Sequence, residues 1–353
     1  MQGYIKYYMF TFNKYSKLNF LILFFLIVII NCKENTSHIK ENIYSQLFTN
    51  HKAGNKELYS TLKPWQERVY PLDEIHKDLI IQMNILDNFK EIPREYKNFD
   101  VIHKLIRNIA QKEDSLVNNL KEKNILAIYI CSNLGGTGIT GFVYDNDKIV
   151  GGYIVIDGDV IYKKANEWIS YKESSVFQNT VSSSIAITIA DSSNNTEEYA
   201  LNYILLHELG HIISQTLSVL PDQRDKYRDF TKYEFTKDIW LNEDFSRYDD
   251  TLFPNRNKIK FYSTNPEFEI DSNAEDIYNS LNKTSFPTLY SAMNPDDYFS
   301  ECFVSYISLN IYKQPWILTI KKKNGQLLFF ENGMKIGRSN KELEFINKLL
   351  IKN

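Results

Sequence analysis

Two histidines and a glutamate stand in the order His207-Glu208-Leu209-Gly210-His211, inside an apolar run with helical periodicity. Residues four apart on a helix are turned by only about 40° from one another, so both imidazoles leave one face and can grip a single metal ion. The glutamate between them can reach a water on that metal, and zinc lowers the pKa of such a water to about 7, within reach of a carboxylate base. The spacing predicts one Zn2+ per chain, with His207 and His211 as ligands and Glu208 as general base. Gly210 costs a helix about 1 kcal/mol relative to Ala, which points to close packing beside the metal.

A catalytic zinc takes a third protein ligand. No histidine follows His211, and the extended motif that would supply one needs Gly and His where this chain has Ser214 and Leu217. A carboxylate further along is therefore expected. Asp297 and Glu301 are spaced i and i+4 at the start of a predicted helix, which suits one ligand plus one partner that orients a ligand histidine. Acids in a first helical turn also favour the dipole with no metal at all. The tetrahedral intermediate of hydrolysis needs a donor to its oxyanion, and a phenol can serve: Tyr290, Tyr298 and Tyr306 are available. Cys302 points to another side of the helix than Glu301 and is expected in the core rather than as a nucleophile.

The segment Tyr290-Ser-Ala-Met-Asn294-Pro-Asp-Asp297-Tyr298-Phe299-Ser-Glu301 resembles that of the gluzincins related to the anthrax lethal factor catalytic domain and the clostridial Pro-Pro endopeptidases. Those proteins pair His-Glu-x-x-His with a later Tyr-x-x-x-Asn-x-x-Glu-[Phe/Tyr]-Phe-Ala-Glu. The resemblance implies that Asp297 is the third zinc ligand, that Glu301 supports a ligand histidine, and that Tyr290 stabilises the transition state. The family has Glu where this chain has Asp297, one methylene shorter. Either the helix carrying Asp297 comes closer, or Glu301 coordinates in its place, or the site is weakened. The likeness spans about residues 124–320 and implies a zincin-like domain, an active-site helix under a small mixed sheet.

Those residues must be carried by regular elements. Thr196 and Asn195, followed by Glu197 and Glu198, mark a helix start, and the helix is expected to run through the histidines to about Leu217. Before it, ILAIYIC, GFVYD, KIVGGYIVIDGDVIY and SIAITIA predict strands of one small sheet, with an edge strand from KIVGGYIVI open to an extended peptide. Gly136-Thr-Gly-Ile-Thr-Gly141 has dinucleotide-turn spacing, but strands rather than a helix follow it, so it is expected to be a hairpin loop. Val101, Ile102, Leu105, Ile109, Leu116, Val117 and Leu120 predict one helical core face over 99–120, and His103 beside it is a packing or surface histidine. Residues 218–289 are expected to be long loops. After them come a strand pair turning at Asn324-Gly325 and a last helix opened by Ser339 and Glu342.

At the N-terminus, Lys6, Lys14 and Lys17 precede eleven apolar residues, Phe20 to Ile30, and then Asn31-Cys32. That is too short for a spanning helix, which takes about 20 residues. It has the layout of a secretory signal, and Ile29-Ile30-Asn31-Cys32 resembles a bacterial lipobox, which implies lipid on Cys32. The expected organisation is a signal peptide (1–31), a polar tether (32–56), a helical segment (57–122) and an α+β zincin-like catalytic domain (123–353). Cys131 and Cys302 are expected to be free buried residues or a single pair. A net charge of -3 without a basic stripe excludes a nucleic-acid partner. The function expected is a zinc-dependent endopeptidase acting on protein or peptide, exported and held to a bacterial membrane by lipid. The alternative is a surface lipoprotein that keeps the fold only to bind a partner.

Overall fold

The computed structural model describes residues 40–352. Its helices are α1 (Ser45–Asn50), α2 (Glu74–Leu86), α3 (Phe99–Lys112), α4 (Ser115–Asn124), α5 (Ala165–Ser174), α6 (Glu197–Thr216), α7 (Glu275–Leu281), α8 (Pro295–Tyr306) and α9 (Asn340–Lys352). The strands are β1 (Val69–Pro71), β2 (Ile125–Cys131), β3 (Gly138–Asp145), β4 (Lys148–Asp157), β5 (Phe177–Gln178), β6 (Ser184–Thr188), β7 (Phe268–Glu269), β8 (Ile317–Lys321) and β9 (Leu327–Glu331). The chain is α+β.

The main sheet has the order β1-β2-β4-β3; β1, β2 and β4 are parallel and β3 is antiparallel to β4. All seven residues of β2 are buried, as a parallel strand covered on both faces requires. Ile128 and Ile130 face the larger core with α3 and α6, whereas Tyr129 and Cys131 face a second cluster under Leu79 and Ile80 of α2. Helix α6 is apolar nearly all round and runs between sheet and helices, with Leu205, Leu209 and Ile212 fully buried. Its N-terminus is capped by Thr196, whose side chain accepts from the Tyr199 backbone N–H.

Several expectations change. The edge strand is β3, because β4 has β2 on its other side; the glycines of KIVGGYIVI serve packing instead, a Cβ on Gly152 meeting Ile212 at 2.7 Å. The run SIAITIA does not join that sheet: its strand β6 pairs with β8, which pairs with β9 across the turn at Gly325. Residues 99–120 form two helices, since Asp114 caps a new one by accepting from Leu116 and Val117 N–H. The buried face of α3 is Ile102, Ile106 and Ile109, which leaves Val101 exposed, and the new phase of α4 buries Val117 and Leu120 but leaves Leu116 exposed. Across residue 122, β1 pairs with β2, and both lie in the unit Lys40–Asn353.

The folded chain also reaches into the expected tether. Phe48 on α1 is buried edge-on against Phe142 of β3, ring centroids 5.7 Å apart, and Asn42 donates to the Gln223 carbonyl; two adjacent apolar residues, Leu47 and Phe48, on a short polar helix are too sparse a pattern to see. Ser339 and Glu342 make tertiary contacts, Ser339 Oγ donating to Ser285 O and Glu342 Oε1 accepting from Tyr298 OH. Cys131 and Cys302 are free and buried. The apolar run and Cys32 lie outside the described residues. Among the described residues, no helix is long and apolar enough to cross a membrane.

Candidate metal centre

Helix α6 brings His207 and His211 onto one face, their Nε2 atoms 3.2 Å apart. Helix α8 crosses α6 at Gly210, where an added Cβ would stand 2.8 Å from Ser300 Cα. The missing side chain lets the helices close up, so the short Asp297 reaches both imidazoles: its Oδ1 lies 3.4 Å from His207 Nε2 and 3.5 Å from His211 Nε2. Zinc bonds of 2.0–2.1 Å at the tetrahedral angle set donor atoms about 3.3 Å apart. The triangle formed by these three residues therefore has the dimensions of a zinc ligand set, and they are the group of described residues that could hold a metal ion.

The sequence around Asp297 builds its orientation. Asn294 is the N-cap of α8 and Pro295 occupies its first turn. Asn294 Oδ1 accepts from the Asp297 backbone N–H at 2.8 Å, and its Nδ2 donates to Asp297 Oδ2 at 2.7 Å, leaving Oδ1 to face the histidines. Neighbouring Asp296 points away into a two-pronged ion pair with buried Arg228. Burial works against ionising Asp297, but the two histidines outweigh it and hold the carboxyl well below its ordinary range.

Glu301, one turn on, stands outside the triangle and behind it. Its Oε1 is 3.1 Å from His207 Nδ1 and 3.3 Å from Lys172 Nζ. Its Oε2 accepts from Thr288 Oγ1 at 2.7 Å. Burial opposes its charge, yet Lys172 and His207 carry the carboxyl down to about 2. His207 responds in the opposite sense: burial disfavours the imidazolium, while Asp297 and Glu301 raise it to about 9.

Glu208, 6% exposed, faces the edge strand. Thr140 Oγ1 donates to its Oε2 at 2.7 Å, and its Oε1 occupies the space a Cβ on Gly138 would need, at 2.7 Å. Gly138 belongs to the Gly-Thr-Gly-Ile-Thr-Gly run, which bends at Gly136 and Thr137 and is strand from Gly138 on. Tyr290 packs its ring 5.6 Å from that of His207 and 4.8 Å from that of Phe261; burial pushes its phenol up. The other two tyrosines lie elsewhere: Tyr298 OH is bound to Glu342, and Tyr306 OH to Asn347.

Two cavities flank the cluster and share His207, Glu208, Tyr290 and Asp297. One, of about 860 Å3, extends past Trp168, Lys172, Tyr203 and Tyr262; the other, of about 510 Å3, extends past Thr140, Phe142 and Asn294. Strand β3 contributes Gly138 and Ile139 to both, so the edge of its first half, ahead of the bridge from Asn55 to Tyr144, runs along the cleft.

Sequence reasoning missed Thr140, Thr288 and Lys172. The first two are ordinary loop and strand residues until the fold sets them beside carboxylates. Lys172 lies in a helix whose sequence announces nothing. No protein-family model matches the chain, and comparisons with characterised proteins and with solved structures return no match.

Proposed function

We propose that the chain is a zinc-dependent endopeptidase with a zincin-like catalytic arrangement, in which His207, His211 and Asp297 hold the metal. The observation that carries this reading is the triangle of three donor atoms, with sides of 3.2, 3.4 and 3.5 Å, beside a carboxylate that is not part of it. Charge supports it too: with neutral imidazoles, the site sets one lysine, Lys172, against three carboxylates, Glu208, Asp297 and Glu301, and the excess of two negative charges suits a dication.

Zinc bound there supplies Lewis-acid polarisation of the scissile carbonyl and an acidified water. Asn294 fixes Asp297, and Glu301 fixes His207, as partners behind ligands do. Glu208, held by Thr140, takes the proton of the attacking water and passes it to the leaving amine. Tyr290 donates to the carbonyl oxygen as it becomes negative. The substrate backbone adds to the free edge of β3. Export, with lipid on Cys32, belongs to the same proposal.

Elemental mass spectrometry on the full chain, purified in detergent without chelator, tests the reading. We expect one zinc per chain, lost in His211→Ala and Asp297→Ala but kept in Glu301→Ala, together with cleavage of a peptide library that stops in Glu208→Gln. A folded wild type without zinc would sink the proposal. Zinc without any cleavage would leave a binding lipoprotein.

A further inference from the structure

Lys172 is a buried charged group beside the cluster that this mechanism does not use. It is 6% exposed on α5, and its Nζ stands 3.5 Å from the centroid of the Tyr290 ring and 3.3 Å from Glu301 Oε1. The Trp168 ring lies further off, at 5.9 Å. Burying an ammonium costs free energy that a Met of similar length would not. Glu301 already has Thr288 and His207 for company, so satisfying that carboxylate does not by itself call for a lysine. The titratable groups around the ammonium are the Glu301 and Asp297 carboxylates on α8, the Tyr262 hydroxyl from the loop and the Glu173 carboxyl on its own helix. Burial disfavours the charge, but these neighbours keep it on.

We infer that Lys172 is a positioning residue acting through Tyr290; this rests on the oxyanion role proposed above for that tyrosine. A cation on the face of an aromatic ring is attracted by the ring quadrupole, most strongly when desolvated. Here the same ammonium is tied to Glu301 on α8, so it fixes the ring relative to the element that carries Asp297. It also draws electron density from the ring, which makes the phenolic O–H a better donor to a developing oxyanion. Nothing is transferred to or from Lys172: it stays an ammonium throughout.

The test compares Lys172→Met, Lys172→Arg, Tyr290→Phe and the double variant Lys172→Met/Tyr290→Phe in the full chain. We expect Lys172→Met to lower kcat by about tenfold to a hundredfold, the range seen when a partner behind a site is removed, with KM and zinc content unchanged. Lys172→Arg should restore most of it, since guanidinium also stacks on rings. In the Tyr290→Phe background the loss should nearly vanish, the signature of two residues acting as one unit. In metal-free protein with 13C-labelled tyrosine, the Tyr290 ring signal, identified by its absence in Tyr290→Phe, should shift in Lys172→Met and return in Lys172→Arg. Equal losses in both backgrounds, a loss that merely follows zinc content, or an unmoved ring signal would each overturn the inference. A wild type that binds no zinc and cleaves nothing would refute the peptidase reading, while the ring signal still decides whether Lys172 holds Tyr290.

Discussion

Two buried charge clusters lie along α6, a little over one turn apart. At Asn202, Lys121 is fully buried and ion-paired to Glu113; its Nζ donates to Asn202 Oδ1 at 2.5 Å, and Tyr312 OH donates to Glu113. One cation meets one anion, and every group has a partner. At His207 and His211, one lysine stands against three carboxylates, and the two Nε2 atoms face each other and Asp297 rather than hydrogen-bond donors. The first cluster carries its cation in the chain. The second is arranged for a cation from outside, a proton on His207 or, in the proposed function, a metal. Burial alone therefore does not separate a structural charge cluster from a chemical one; the balance of charge does.

The largest expected effects break this comparison at its chemical end. Glu208→Gln keeps the ligand triangle and removes the base, so hydrolysis should fall by about 10³-fold with zinc content at the wild-type level, as activity and metal assays on the same sample would show. Lys121→Ala breaks the other cluster. It leaves Glu113 buried without its cation and should cost about 3–5 kcal/mol of stability in urea titration, while zinc stoichiometry under native conditions stays at one. If Lys121→Ala lost zinc in step with stability, the two clusters would not be separable.

What the sequence made legible follows the same division. His207, Glu208 and His211 are local: their proposed roles follow from i and i+4 geometry on one helix, and the cap at Thr196 marks where that helix starts. Asp297 and Glu301 were visible as a pair, but which of them turns to the histidines depends on how closely α8 crosses α6. That is decided at Gly210 and Ser300, far apart in sequence. Lys172 and Thr140 left no trace at all, because a buried lysine or threonine gains its meaning only from what faces it. The misplaced edge strand has a similar origin. Nothing local tells β3 from β4, since both are β-branched and glycine-interrupted, and the parallel pairing of β2 with β4 is a long-range choice.

A further buried carboxyl sharpens the comparison by settling its charge in another way. Glu173, next to Lys172 in sequence, is 2% exposed and bound by Tyr278 OH at 2.5 Å. Burial, with help from Glu301, outweighs Tyr278 and Lys172 and pushes it from 4.5 up to about 7, so the native protein favours its neutral form. A raised carboxyl contributes stability that is fully present below about pH 4.5 and lost as pH rises through about 7. The shift corresponds to about 3 kcal/mol across that window. Urea midpoints measured from pH 4.5 to 8 should decline accordingly in the wild type, and the slope should flatten in Glu173→Gln.

The smallest effect concerns the contact that brings the two helices together. In Gly210→Ala the new methyl meets Ser300 Cα at 2.8 Å, a backbone atom that cannot rotate aside. The gain in helix propensity, about 1 kcal/mol, is opposed by overpacking of about 1–3 kcal/mol, so stability should change little, or fall by up to about 2 kcal/mol. Zinc retention should change more than stability does, because moving α8 outward carries Asp297 away from both imidazoles, while Glu301, one turn on, keeps Lys172 and Thr288. Zinc competition with a chromophoric chelator, set beside urea unfolding of the metal-free protein, separates the two. Weaker zinc binding with near-normal stability would show that the close crossing serves the third ligand; unchanged zinc binding would show that Asp297 does not need it.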